Sequence, residues 1–407
     1  MPTAGGVRVL EAQAGVTRVT SHEWRRGRLV GMTPTPHIVV LGAGYTGLTA
    51  AKLLARRAPV TLVNDRDRFV ERMRNHQLAA GQPVRGTPLR DLVAGTGIRL
   101  VVDRVTRIDP DRREVELASG AEPIGYDLLV YALGSTADLD AVPGAAEHAV
   151  AVADAERAVQ LQDRMRAAST VAVVGGGLTG IEVATELAES HPDRTVRLVS
   201  AGRLGPALSE RGQEHLYRTF DRFGIRLHEH APVAKVGPDG LLLEQGERVD
   251  ADVVVWTTGF RVPPLAREAG LAVGDNGRIL VDGTMRSVSP PEVYAIGDAG
   301  AARDAEGREM RMGCGPGGLA GACAVRAITD RLAGRTPRQL AVAYDGQCIS
   351  LGRKDGLFQY ARGGSPVGPM LTGRVAAAVK EAVVRGAGGF SLRHPTVALL
   401  AGGRALA

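Results

Sequence analysis

Two segments of the chain share one pattern: a short apolar run, a Gly-x-Gly-x-x-Gly turn, a helix-forming stretch and a second apolar run. The first is HIVVLGAGYTGLTAAKLLARRAPVTLVND, residues 37–65, and the second is TVAVVGGGLTGIEVATELAESHPDRTVRLVS, residues 170–200. IVVL and VAVV are continuous rather than alternating apolar runs, as expected of parallel strands buried on both faces. In the first turn Gly42 permits the tight bend, Gly44 lets the backbone approach a pyrophosphate, and Gly47 lets the helix pack closely on the strand. Gly175, Gly177 and Gly180 hold the same places in the second turn. Each helix that follows offers unbonded amides and the positive end of its dipole to a phosphate. The pattern predicts an α/β fold with two Rossmann-like dinucleotide-binding domains.

The strand ends say what each unit holds. The first ends at Asn64 and Asp65, where a ribose-binding acid is expected; Asn64 stands in the acid slot and can still bond ribose hydroxyls. The second ends at Ser200, followed by Ala201, Gly202 and Arg203. An acid there binds the 2′-hydroxyl of NAD and repels the 2′-phosphate of NADP, so its absence admits either NADH or NADPH, with Arg203 a candidate contact for the phosphate. Two units in one chain are explained if one holds a resident flavin dinucleotide and the other a diffusing nicotinamide dinucleotide.

Length and composition agree. A chain of 407 residues exceeds one ordinary domain. Its net charge of +6 is spread among interleaved acids with no dense basic run, which argues against nucleic acid as a partner. Cys314, Cys323 and Cys348 cannot make a disulfide framework and suit a reducing cytoplasm. No apolar run reaches the ~18 residues of a membrane span. Residues 1–35 lack periodicity and are expected to form a flexible extension.

Three further segments, YDLLVYALGS (126–135), ADVVVWTTGF (251–260) and PEVYAIGDAG (291–300), complete a resemblance to the pyridine nucleotide-disulfide oxidoreductase superfamily of flavoproteins. The resemblance spans about His37 to Leu332 and implies an FAD-binding domain in two parts, 36–150 and 266–335, with an NAD(P)H-binding domain, 151–265, inserted between them. It implies that Gly134, Gly297 and Asp298 contact FAD and that Gly259 belongs to the nicotinamide side. Disulfide reductases of this superfamily carry a Cys pair soon after the first turn, and residues 48–90 contain no cysteine. The chain instead resembles type II NADH dehydrogenase-like flavoproteins. That places Glu182 near the nicotinamide–flavin contact and RNHQ, residues 74–77, near the flavin ring, where His76 would donate a proton to a two-electron acceptor. The Gln-containing signature at which quinone docks in respiratory type II enzymes is missing from residues 311–334; Cys314-Gly-Pro-Gly-Gly opens a helix there, and Cys314 would lie near the flavin or the acceptor.

From 336 onward the sequence predicts a small α+β region of two or three strands and a helix at about Thr372 to Arg385. The resemblance implies that this region packs on a homodimer partner or lies peripherally on a membrane; Arg374, Lys380, Arg385 and Arg393 flank its apolar patches. The expected activity is hydride transfer from NAD(P)H to FAD and on to a small electron acceptor such as a quinone. A pathway-specific flavoenzyme acting on an organic metabolite and a slowly turning redox sensor are the alternatives.

Overall fold

The computed structural model describes residues 8–10, 35–84, 86–341, 346–362, 365–396 and 404–405. Most of the expected N-terminal extension lies outside them, but Arg8–Leu10 (β1) is a strand rather than coil, antiparallel to a sheet edge. Ile38–Leu41 (β2) is followed by Tyr45–Leu54 (α1), Val60–Asn64 (β3) and the short helix Asn75–Ala79 (α2). Arg99–Val102 (β4) and Leu128–Tyr131 (β5) come next. The following stretch contains Ala149–Ala151 (β6), Ala155–Met165 (α3), Thr170–Val174 (β7), Leu178–Ser190 (α4), Thr195–Val199 (β8), Glu210–Phe223 (α5), Arg226–His228 (β9) and Val253–Trp256 (β10). Val293–Ala295 (β11) and the long helix Cys314–Leu332 (α6) precede a C-terminal unit of Gly346–Ser350 (β12), Gly356–Arg362 (β13), Ser365–Thr372 (β14) and Gly373–Arg385 (α7).

Two parallel sheets carry the architecture. The first has the order β1-β4-β3-β2-β5-β11, parallel except for β1, and draws its strands from both before and after the second sheet in sequence. The second is β6-β10-β7-β8-β9, parallel throughout. β2, β5 and β10 are buried along their whole length and β7 from Val171 onward, which accounts for their unbroken apolar sequence. In both sheets the strand order reverses beside the glycine turn, between β2 and β5 and between β7 and β10. Ligands of open α/β sheets bind at such reversals, outside the carboxyl ends of the strands.

The C-terminal unit is an antiparallel three-stranded sheet, in which β13 pairs with β12 and β14, with α7 laid across it. It is fastened to the second parallel unit by Asp355, which accepts from Arg222 Nη2 at 2.8 Å, pairs with His215 Nε2 at 3.0 Å and takes the backbone N–H of Gly356 and Gly373. Burial alone would raise this carboxyl, but the His215 and Arg222 bonds hold it well below the usual carboxylate range. Among the described residues no helix is long and apolar enough to cross a membrane.

Candidate functional site

At the end of β2, Gly42 adopts φ +97° and its position leaves no room for a side chain, since a Cβ would lie 2.4 Å from Ala132 O. A Cβ on Gly47 would lie 2.0 Å from Gly42 O, so α1 touches the turn directly. A Cβ at Gly44 would meet nothing within 4 Å; the middle glycine opens onto the crevice, where the N-terminal amides of α1 point. Gly134 and Gly297, both at φ +69°, follow the carboxyl ends of the neighbouring strands β5 and β11. Asp298 links these segments: Oδ2 accepts from Ser135 Oγ at 2.7 Å and Oδ1 from Gly313 N at 2.7 Å, the residue before α6. Its remaining lone pairs can take ligand hydroxyls. Arg72, 3.8 Å from Asp298, donates to Ser135 O and stacks over Phe260. Asn64 is committed to the turn itself, accepting from Ala43 N at 2.7 Å and donating to Arg66 O at 2.9 Å. Asp65 is the outward-facing carboxylate, 3.5 Å from Arg66.

The second turn repeats the geometry. A Cβ on Gly180 would lie 1.9 Å from Gly175 O, while a Cβ at Gly177 would meet nothing within 4 Å. A cleft of about 470 Å³ opens here, lined by Gly175 to Gly177, Ser200 to Arg203, Trp256, Thr258 and Gly259. Ser200 is buried beneath the turn, so close that a Cβ on Gly176 would lie 2.3 Å from its hydroxyl. Arg203 is fully exposed at the rim. Both glycine turns are therefore open cradles backed by helix N-termini and fit a dinucleotide each. His230 lies past the end of β9 with φ +52°, because the chain turns there.

Between the crevices lies a buried charged cluster that packing brings together. Glu182 Oε1, one turn into α4, accepts from Lys380 Nζ at 2.8 Å and from Ser350 N at 3.0 Å. Burial would raise the Glu182 carboxyl, but Lys380, then His76, hold it below the usual range. The pair reciprocally holds Lys380 above its ordinary value in spite of burial. Glu186, fully buried one turn further along α4, binds Arg353 Nε at 3.0 Å and Gln82; burial raises its carboxyl. His76 Nε2 sits 3.8 Å from Glu186 Oε2, and neither atom has a hydrogen-bond partner. Burial, the dominant influence, lowers His76 to about 4, so its imidazole is neutral at pH 7. Proton donation by an imidazolium, as expected from the sequence, does not match this environment. As an expected outcome, the His76 ring nitrogens show neutral-imidazole NMR shifts down to about pH 4. Because the folded pKa lies below the unfolded value, His76 costs stability as pH falls from about 6.5 towards 4, and His76→Gln flattens that slope; a normal titration near pH 6.5 would refute this.

Cys314 begins α6: its side chain is accessible, yet dense surrounding protein raises the thiol and keeps it protonated. The charges it senses are Asp298 and Arg72 from the first crevice and Lys380 and Glu182 from the cluster. Arg353 did not stand out in the sequence, and Lys380 was read only as one of the basic residues flanking an apolar patch. One signal was there for Lys380: it is one of four lysines in a chain that otherwise takes its positive charge from arginine.

Two parallel sheets, each with an open glycine turn where its strand order reverses, define a two-dinucleotide fold. The family described as pyridine nucleotide-disulphide oxidoreductase matches residues 36–311, and the chain belongs to it. It is an oxidoreductase that works with FAD and NAD(P)H. The NADH dehydrogenase-like protein MT1860 of Mycobacterium tuberculosis is 32% identical over 306 residues, covering 68% of this chain and 76% of that protein. The demethylphylloquinone reductase NdbB of Synechocystis is 27% identical over 305 residues, covering 67% and 74%. The sulfide:quinone oxidoreductase of Aquifex aeolicus shares the fold, with a TM-score of 0.74 at 20% identity over 88% of this chain and 92% of that one.

Proposed function

We propose that the protein transfers electrons from NADH or NADPH through FAD to a small quinone-type acceptor. The observation that carries this reading is the pair of open glycine turns, each with its middle glycine, Gly44 or Gly177, facing free space and its last glycine packing a helix N-terminus against the turn. Bound FAD would supply two-electron exchange between a nicotinamide and the acceptor. In this reading Gly42, Gly44 and Gly47 with the α1 amides hold its pyrophosphate, Asp65 its ribose, and Gly134, Gly297 and Asp298 its middle section. Gly175, Gly177, Gly180 and Gly259 hold the nicotinamide dinucleotide. Glu182 orients Lys380, whose Nζ carries a proton at neutral pH and faces a pocket of about 270 Å³ shared with Arg74, Gln77 and Arg353. A quinone takes up protons with its electrons, and Lys380 Nζ is the charged donor placed to supply one. Cys314, held as a thiol, packs rather than reacts. NADH dehydrogenase-like and quinone reductase names among the relatives support the same acceptor class. Lys380 is turned inward, so one of the four basic residues expected to meet lipid is engaged internally, while Arg385 pairs with Glu381 on the exposed face of α7. Val375 and Val383 remain exposed on α7, the surface we assign to contact with a second subunit.

The test is an anaerobic visible titration of the purified protein with each nucleotide, followed by a soluble naphthoquinone. A yellow protein that bleaches stoichiometrically and recolours with the quinone is expected. A protein that does not bleach would end this reading. One that bleaches yet ignores quinones would favour a pathway-specific flavoenzyme.

A further inference from the structure

The second cleft has a composition that sorts between the two nicotinamide dinucleotides. Its lining consists of glycine, alanine, valine, proline, serine, threonine and tryptophan, with one charged side chain, Arg203, and no carboxylate. A site selective for NAD places an acid at the end of the second strand, where it binds both ribose hydroxyls and repels a 2′-phosphate. Here that position is Ser200, and its hydroxyl is tucked under Gly176, out of reach of a ribose.

The rim, by contrast, is built to hold a cation in place. Tyr217 on α5 donates its hydroxyl hydrogen to Glu229 Oε1 at 2.8 Å, and its ring carries that hydroxyl beside the Arg203 guanidinium. Glu229 Oε1 also accepts from Leu204 N, which pins the residue next to Arg203. Glu229 is therefore satisfied behind the rim and does not line the cleft. The relay leaves Arg203 with further N–H groups directed to solvent, and a guanidinium presents five donors in a fork that matches phosphate geometry.

We infer that this cleft selects the 2′-phosphorylated dinucleotide, NADPH, with Arg203 as the phosphate contact and Tyr217 as the residue that positions it. The inference rests on the reading of the cleft as a nicotinamide dinucleotide site and names which dinucleotide it takes. A charge-assisted contact at an exposed rim is screened by salt, so selectivity is strongest in dilute buffer and weakens as ionic strength rises.

The experiment is calorimetric titration of the purified full-length protein with NADP⁺ and, separately, NAD⁺, which bind without turnover. NADP⁺ is expected to bind at least about tenfold more tightly at low salt, a ratio that shrinks at high salt. Arg203→Glu is expected to bring the ratio to one or below. Tyr217→Phe should lower the ratio partway while leaving Arg203 present. NAD⁺ binding equal to or tighter than NADP⁺ in the wild type would overturn the inference and leave the dinucleotide reading standing. Failure of both to bind would overturn the dinucleotide reading as well. A ratio that Arg203→Glu leaves unchanged would remove Arg203 from the account.

Discussion

Gly47→Ala should give a nearly colourless protein, and Gly180→Ala a yellow one that neither NADH nor NADPH bleaches. One added methyl has this reach because both helices touch the carbonyl of their own turn: the new Cβ would lie 2.0 Å from Gly42 O in the first unit and 1.9 Å from Gly175 O in the second. Backbone atoms at that distance must move apart, and overpacking of this kind costs ~1–3 kcal/mol or more. The cost falls on the place where the helix N-terminus meets a pyrophosphate, so it appears first in cofactor affinity, as a loss of at least about tenfold. In the first unit Gly47 is also closed off by Ala132, whose Cβ would lie 3.0 Å away, so the helix cannot slide toward β5 to escape. Flavin content is read from the visible spectrum of the purified variants, and reducibility from anaerobic titration. A Gly47→Ala protein that purifies with one flavin per chain, or a Gly180→Ala protein that bleaches like wild type, would show that the crevices are assigned to the wrong cofactors.

The double prediction is also a measure of how much could be read from the chain beforehand. The two crevices were legible because their determinants are local: an apolar run, three glycines at fixed spacing and a helix lie within about 30 residues, and each residue acts on its sequence neighbours. The charged pocket was not, because its parts meet only through tertiary packing. Glu186 read as an ordinary helix acid and Glu182 was singled out only by resemblance, since a helix acid is usually solvated. They are buried because the C-terminal sheet closes over α4, bringing Ser350 and Arg353 onto it and Lys380 from α7, nearly 200 residues away in sequence. His76 was noticed for its chemistry, but its neutral state follows from a burial that no local pattern announces. Asn64 was read as a residue able to bond ribose hydroxyls, and its amide instead bonds the turn, a distinction that depends on its χ angles.

Lys380→Met tests that non-local part. Methionine roughly keeps the volume of the stem and removes the ammonium, leaving the Glu182 carboxylate with Ser350 N and a neutral imidazole for company. Breaking a buried pair by deleting one partner costs ~3–5 kcal/mol, and the residual exposure of both side chains, 14% for Glu182 and 16% for Lys380, puts the expectation at the lower end. The pH dependence identifies the cause. In the wild type Glu182 is held below its unfolded value, so its contribution is complete above about pH 4.3 and is lost as pH falls through the folded value. Without Lys380, burial acts unopposed and raises the carboxyl, so the deficit should grow from near zero at acid pH to its full size near neutrality. Hydrogen exchange across residues 346–385 at pH 5 and pH 8 reads the local opening free energy where the sheet and α7 sit on α4. Adding Glu182→Gln to Lys380→Met should recover most of the loss, since a neutral amide no longer strands a charge. A deficit independent of pH, or one that the second substitution deepens, would mean that Lys380 stabilises the C-terminal unit by packing its stem and that its charge is incidental to Glu182.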